Sequence, residues 1–164
     1  MRMTNDQIGE LAERIAAVDL TRPVSGIYRR PLFRVAPLGG KYPTVDFLVD
    51  VVDDRDASIG FFFAQVKGTV SIGPPASRLP IEVRRDRYNA LVRLSAPSFI
   101  IGVDVTAELS YIIAAHRVRT ARVSSIAKTY CLRDDAVKIG LYEEVLSYWD
   151  ANRPALQRTQ FKDV

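Results

Sequence analysis

Cysteine occurs once in this chain of 164 residues, as Cys131, and histidine once, as His116. A single cysteine excludes a disulfide within the chain. The two residues together are too few for a structural zinc cluster. Sparse cysteine fits a reducing compartment, so a cytoplasmic location is expected. No apolar run reaches the length of a membrane span. The opening "MRMTNDQIGE" is polar and turns amphipathic, which is not the pattern of a signal peptide. There is no internal repeat and no low-complexity tract. Neither sign of charge dominates: the net charge is +4, compatible with a phosphate-rich partner but not diagnostic of one. Hydrophobic residues at 48% and charged residues at 26% argue against disorder and for one core-bearing domain.

The patterning predicts alternating helices and strands. "TNDQIGELAERIAAVDL" reads as a helix capped by Thr4, Asn5 or Asp6, with Ile8, Leu11, Ile15 and Val18 at helical spacing and Ala12 beside them. "IYRRPLFRVA" is strand-like, and Pro31 marks it as an edge or bulged strand. "VDFLVDVV" and "FFFAQVKGTV" form a hairpin across "DDRDASIG". "SIGPPASR" is a loop, "LPIEV" a short strand and "RRDRYNALVRLS" a helix. "SFIIGVDV" is apolar nearly throughout and is expected to be covered on both faces. "LSYIIAA" follows it as a strand. "SSIAK" reads as a turn of helix, and "YEEVLSYWDAN" as a helix ending near Pro154. The sum is an α/β domain with a central mixed sheet flanked by helices, spanning 1–152, and a tail over 153–164.

The strand "FFFAQVKGTV" carries two polar groups on one face. Gln65 and Lys67 alternate with Val66, so their side chains project together, about 6–7 Å apart. An unpaired amide or ammonium in an apolar strand is costly. The hairpin can bring Asp46 beside them, and the first helix contains Glu13. Carboxylates, an amide oxygen and a strand carbonyl are hard oxygen ligands suited to magnesium or manganese. A neighbouring lysine can stabilise charge on a phosphate or orient water, and a salt bridge to Asp46 would satisfy its ammonium when the metal is absent. Each residue also has an ordinary reading: Asp46 as a turn residue, Glu13 as a solvated helix position, Gln65 and Lys67 as the guarded face of an edge strand. Three consecutive phenylalanines argue against such an edge.

The ordered set "D…QVK", preceded by a helix containing "GELAER", resembles the PD-(D/E)xK nuclease superfamily in its Q-x-K variant. The strings "FFFAQVKGT", "APSFIIGVDV" and "SYIIAA" are similar to a bacterial family catalogued as domain of unknown function 4365. The resemblance covers Thr4 to Ala115. It implies a restriction-endonuclease-like core of order α-β-β-β-α-β. It also implies metal-dependent cleavage of DNA by a cytoplasmic protein of a phage-defence or restriction system. Carried over by position, Asp46 is the main metal ligand, Gln65 replaces the second acid, Val66 offers its carbonyl and Lys67 is the catalytic lysine. Gly9 and Glu13 match the helix motif, which makes Glu13 the further carboxylate, with Glu10 as the fallback. The cofactor implied is Mg2+ or Mn2+. The literal Pro-Asp pair is absent, because Val45 precedes Asp46, and Gln65 removes one negative charge from the site. The alternative is therefore a nuclease-fold subunit that no longer cuts and binds DNA or a partner protein.

Two basic clusters are candidate phosphate contacts: Arg78, Arg84, Arg85 and Arg87, then Arg117, Arg119 and Arg122. Glu82 and Asp86 dilute the first. His116 reads as a surface histidine or a DNA contact, and Cys131 as a core residue. Leu141, Val145, Tyr148 and Trp149 form a strip that either packs in the core or serves a homodimer or partner surface.

Overall fold

The computed structural model describes residues 3–26, 28–40, 42–71 and 77–156, with side chains to residue 152. The loop expected around Gly73–Pro75 and the tail beyond Leu156 lie outside these residues. The elements are α1 (Asn5–Thr21), β1 (Phe33–Pro37), β2 (Phe47–Val52), β3 (Ser58–Thr69), β4 (Arg78–Val83), α2 (Arg85–Val92), β5 (Ser98–Asp104), β6 (Leu109–Ala114), β7 (Val123–Ala127) and α3 (Asp135–Leu156).

Thr4 caps α1: its hydroxyl accepts from the Gln7 N–H while Gln7 Oε1 accepts from the Thr4 N–H. The buried line of the helix is Ala12, Ala16, Asp19 and Leu20. It does not run through Val18, which is 57% exposed. Gly68 on β3 explains the shift. A Cβ there would lie 2.7 Å from Ala12 Cβ and 2.9 Å from the Ile8 carbonyl oxygen. Backbone meets backbone at this crossing, so alanines face the strand and Ile8, Leu11 and Ile15 flank it.

Five strands form one sheet in the order β1-β2-β3-β5-β6. All neighbours are antiparallel except β3 and β5, which run parallel. The β3-to-β5 crossover contains α2, as the expected α-β-β-β-α-β order requires, with β4 inserted before it. β1 is an edge strand, as Pro31 suggests, and every residue of β5 is buried. The segment read as helical "SSIAK" is instead strand β7, antiparallel to β4 in a separate two-stranded sheet. Val123 and Ile126 are its buried positions, and the serines between them hid the strand pattern.

The strands separate two cores. On one face Phe47, Phe62, Ala64, Val66 and Ile101 pack against α1 and α3. On the other Ile100 and Tyr111 pack against Leu79, Ile126, Tyr88 and Leu91 of the β4–β7 sheet and α2. α3 packs its strip into the first core: Val145 is fully buried and Trp149 stacks on Phe61 at 4.5 Å, its indole N–H donating to the Phe61 carbonyl. α3 also runs two residues past Pro154. Buried polar groups fix α1 in place. Lys138, fully buried, donates to the Arg22 carbonyl at 2.9 Å and sits 3.6 Å from Asp135. Asp19, also buried, accepts from Ser110 and from Arg133.

Candidate functional site

The site grows from an irregularity where β2 begins. Ala64 is the register partner of Phe47, yet its carbonyl also accepts from the Asp46 N–H at 3.0 Å. Two residues of one strand thus oppose one of the other. Such bulges bend a strand and re-aim its side chains. The Asp46 carboxylate turns toward β3 and accepts from the Val66 N–H at 2.6 Å. A side chain takes the place of the ladder's next backbone acceptor, so β2 and β3 part at this point. Burial raises the Asp46 carboxyl above its ordinary range, against the opposing pull of the Val66 N–H and the charges of Lys67 and Arg87.

Glu13 reaches the same place from α1. Burial raises its carboxyl first, the Asp46 charge raises it further and Glu10 adds to this, while Lys67 opposes. The two carboxylates and Lys67 are therefore electrostatic neighbours. No direct ion pair joins Lys67 to Asp46, contrary to the expectation that such a pair holds the ammonium; the carboxylate is turned to the Val66 amide instead. Glu10 is largely exposed, 3.9 Å from Arg14, and lines the same small cleft as Glu13.

Gln65 lies on the β3 face turned away from α1, and Lys67 shares that face, because Ala64 and Val66 pack in the α1 core. Gln65 is only 3% exposed and its Oε1 is sealed without a hydrogen-bond partner. Glu13 therefore approaches from the opposite side of the sheet, and the fork between β2 and β3 is where the two sides meet. Gly102, the β5 partner of Lys67, is roofed by Ile126 and Leu79, so the small sheet walls this face. Among the described residues no group of three or more His, Cys, Asp or Glu is placed to hold a metal ion. The two carboxylates, the orphaned Gln65 oxygen and the Val66 carbonyl are nevertheless all hard donors, a set whose chemistry fits Mg2+ or Mn2+.

The elements that carry the two arginine clusters are neighbours. β4 pairs with β7 through Arg78↔Ala127 and Val83↔Val123. Asn89 and the Arg119 backbone exchange two hydrogen bonds, 2.9 and 3.0 Å long. Arg119 also lies over the Tyr88 ring at 5.1 Å. Arg78 is held by Ser125, while Arg84 pairs with Asp86 and Arg122 with Glu82. Arg85, Arg117 and His116 are exposed. Sequence reasoning grouped Arg87 with the phosphate contacts and missed its nearness to Asp46. It also missed the buried Tyr88 hydroxyl, which, like Gln65 Oε1, has no partner. Neither is signalled by spacing, since both depend on how α2 docks. Cys131 is half-buried against this second core.

A cleft of about 290 Å³ adjoins Glu13, bounded by Arg14, Ala17, Pro37 and Phe47. A larger cavity, about 790 Å³, lies elsewhere, between α3 and β7. It shares no residue with the carboxylate centre.

The architecture is similar to that of a solved bacterial homing endonuclease, I-Ssp6803I. The match covers 94% of this chain and 99% of that one, with a TM-score of 0.50 and 15% sequence identity. Together with the strand order, it establishes a restriction-endonuclease-like core. At that identity the likeness is one of fold. No family model matches the chain, so the narrower likeness to domain of unknown function 4365 gains no support. No curated protein matches it either. Among the described residues no helix is long and apolar enough to cross a membrane.

Proposed function

We propose that this chain is a nuclease-fold module that binds DNA through the arginine layer beside Asp46. The charge distribution carries this reading. Residues 78–93 and 116–127 hold eight arginines against two acids, Glu82 and Asp86, a surplus of six in a chain whose net charge is only +4. The rest of the molecule is thus slightly acidic. Strand pairing and the Asn89–Arg119 exchange gather that surplus on one side. Guanidinium forks suit phosphate oxygens, and such contacts supply affinity without reading sequence. Among the described residues, no third carboxylate joins Asp46 and Glu13.

A second reading, metal-dependent phosphodiester hydrolysis, is favoured by one observation: Gln65 Oε1 is buried without a partner on the strand that carries Lys67. Asp46, Glu13, Gln65 and the Val66 carbonyl would hold Mg2+ or Mn2+, which when bound polarises a phosphodiester and acidifies water. Lys67 would offset charge on the phosphate, and Arg87 would position the strand beside Asp46.

Fluorescence anisotropy with a labelled DNA duplex, across a salt series, tests the first reading. Affinity should fall steeply with salt and survive Asp46→Asn. Absence of salt-dependent binding refutes it. Incubating the same duplex with Mn2+ separates the second reading. Cleavage by the native chain that disappears in both Asp46→Asn and Lys67→Ala supports hydrolysis, and equal inactivity of all three removes it.

A further inference from the structure

β6 closes the five-stranded sheet, and its outer edge is only half covered. The even-numbered residues direct their backbone groups outward, away from β5. At one end the segment 130–132 fills the next strand position: Tyr111 bridges to Cys131, the Ile112 N–H donates to the Tyr130 carbonyl and the Leu132 N–H to the Ser110 carbonyl. The chain arrives at this position from β7 and leaves it for α3. Beside Ile113, among the described residues, the Ile112 carbonyl and the Ala114 N–H have no partner. A sheet edge with open backbone groups is a template for another strand.

That open half is the floor of the 790 Å³ cavity. Its two walls differ. On the α3 side stand Val137, Gly140 and Leu141, with Glu144 at the rim; on the β4–β7 side stand Arg78 and Ser125, with His116 and Arg119 closing one end. Gly140 is informative. A glycine inside a helix costs about 1 kcal/mol relative to alanine. Among the described residues nothing packs on it, since a Cβ at Gly140 would meet nothing within 4 Å. The bare backbone makes room along the groove for something else.

We propose that this groove docks an extended segment of a partner protein as an added strand, one whose side chains alternate between apolar and acidic. An added strand supplies the missing donor and acceptor to Ile112 and Ala114. Its residues alternate faces. One set meets the apolar α3 wall, where Glu144 repels acids, and the other meets Arg78 and Arg119, where acids are attracted. This groove is separate from the carboxylate centre; Arg78 and Arg119 are shared with the arginine layer of the DNA-binding reading, on which the proposal does not rest.

The test uses the full chain and a fluorescein-labelled seven-residue peptide alternating valine and glutamate, with a valine–lysine peptide and an N-methylated valine–glutamate peptide as controls. The valine–glutamate peptide should bind saturably, about tenfold or more tighter than either control. Gly140→Leu fills the groove at a site open enough to keep the fold, which a melting curve checks, and should weaken binding by a similar factor. Equal binding of the N-methylated peptide overturns strand addition without recourse to any variant. So does unchanged binding by a folded Gly140→Leu chain, or absence of saturable binding at millimolar peptide. Sedimentation and a labelled single-stranded oligonucleotide cover the other occupants. A dimer dispersed by Gly140→Leu, or oligonucleotide binding lost in that variant while the peptide stays unbound, overturns the peptide assignment.

Discussion

Replacing Gly68 with alanine perturbs the crossing that sets Glu13 beside Asp46. The added methyl would sit 2.7 Å from Ala12 Cβ, 2.9 Å from the Ile8 carbonyl oxygen and 3.0 Å from Ile8 Cγ2. A carbon pair rests at about 3.5–4.0 Å, so α1 must retreat by roughly 0.8 Å. The Ile8 oxygen belongs to the helix backbone, and no rotamer change relieves it. Overpacking of this kind costs about 1–3 kcal/mol. For a chain of this size that is a fall in melting temperature of roughly 2–12 °C. Ala12→Gly removes one of the clashing atoms and costs about 1 kcal/mol alone as a helix glycine. The double variant should then be less destabilised than the sum of the singles, by about 0.5–2 kcal/mol, with the Ile8 contact remaining. Urea unfolding of all four proteins measures the cycle. Retreat of α1 also draws Glu13 from Asp46, so the Glu13 carboxyl should titrate lower in Gly68→Ala, read by carbon-detected NMR. Additive energies with an unmoved Glu13 titration refute the claim that this crossing positions the site.

Four further outcomes follow from the same geometry. Asp46 and Glu13 both have folded-state values raised above ordinary carboxylates, so their ionisation opposes folding and the stability they cost appears as pH rises from about 4 through those raised values. Asp46→Asn, which keeps an oxygen for the Val66 N–H, should be more stable than the native chain by about 0.5–2 kcal/mol at pH 7 and lose that advantage near pH 4, in paired melting curves. Gln65→Glu places a third carboxylate where the amide oxygen is sealed; its melting temperature should fall in EDTA and recover with Mn2+ more than that of the native chain. Lys138→Met leaves the Arg22 carbonyl without its donor and should cost about 1–3 kcal/mol in urea unfolding, with unchanged DNA affinity. Arg85→Ala should reduce the slope of log affinity against log salt by about 0.9 on any DNA sequence, and an unchanged slope would remove Arg85 from the interface.

Local pattern carried much of this structure and failed where tertiary contact decided the outcome. The hairpin of β2 and β3 was legible from its alternation and turn, and β5 from its continuous apolar run. The α1 stripe was legible at Ile8, Leu11, Ala12 and Ile15 and failed at Val18, because periodicity weighs large side chains, whereas Gly68 demands small ones at the crossing. β7 was read as helix because Ser124 and Ser125 break the alternation, and its partner β4 lies some forty residues earlier. At the site, residue order was enough to single out Asp46, Lys67 and Glu13, which electrostatics draws together. The bulge that turns Asp46 onto the Val66 amide left no mark in the sequence. Nor did the arrival of Arg87 near Asp46, which depends on the docking of α2.

The fold hangs its two candidate capacities from different elements. The arginines belong to β4, α2 with its flanking residues, and the 116–122 segment, braced by the Asn89–Arg119 exchange and the Arg119–Tyr88 contact. The carboxylates belong to α1 and the fork of β2 and β3, braced by Gly68, Lys138 and Asp19. Arg87 is the one arginine of the layer whose charge is felt at Asp46. A change at the fork can therefore disturb the carboxylate centre while the arginine layer stands. Gln65, sealed beside that fork, carries no charge to neutralise, whereas a carboxylate there would need a metal or a proton to be buried. On the reading proposed above, binding rests on the arginine layer and does not depend on the outcome of the metal experiment.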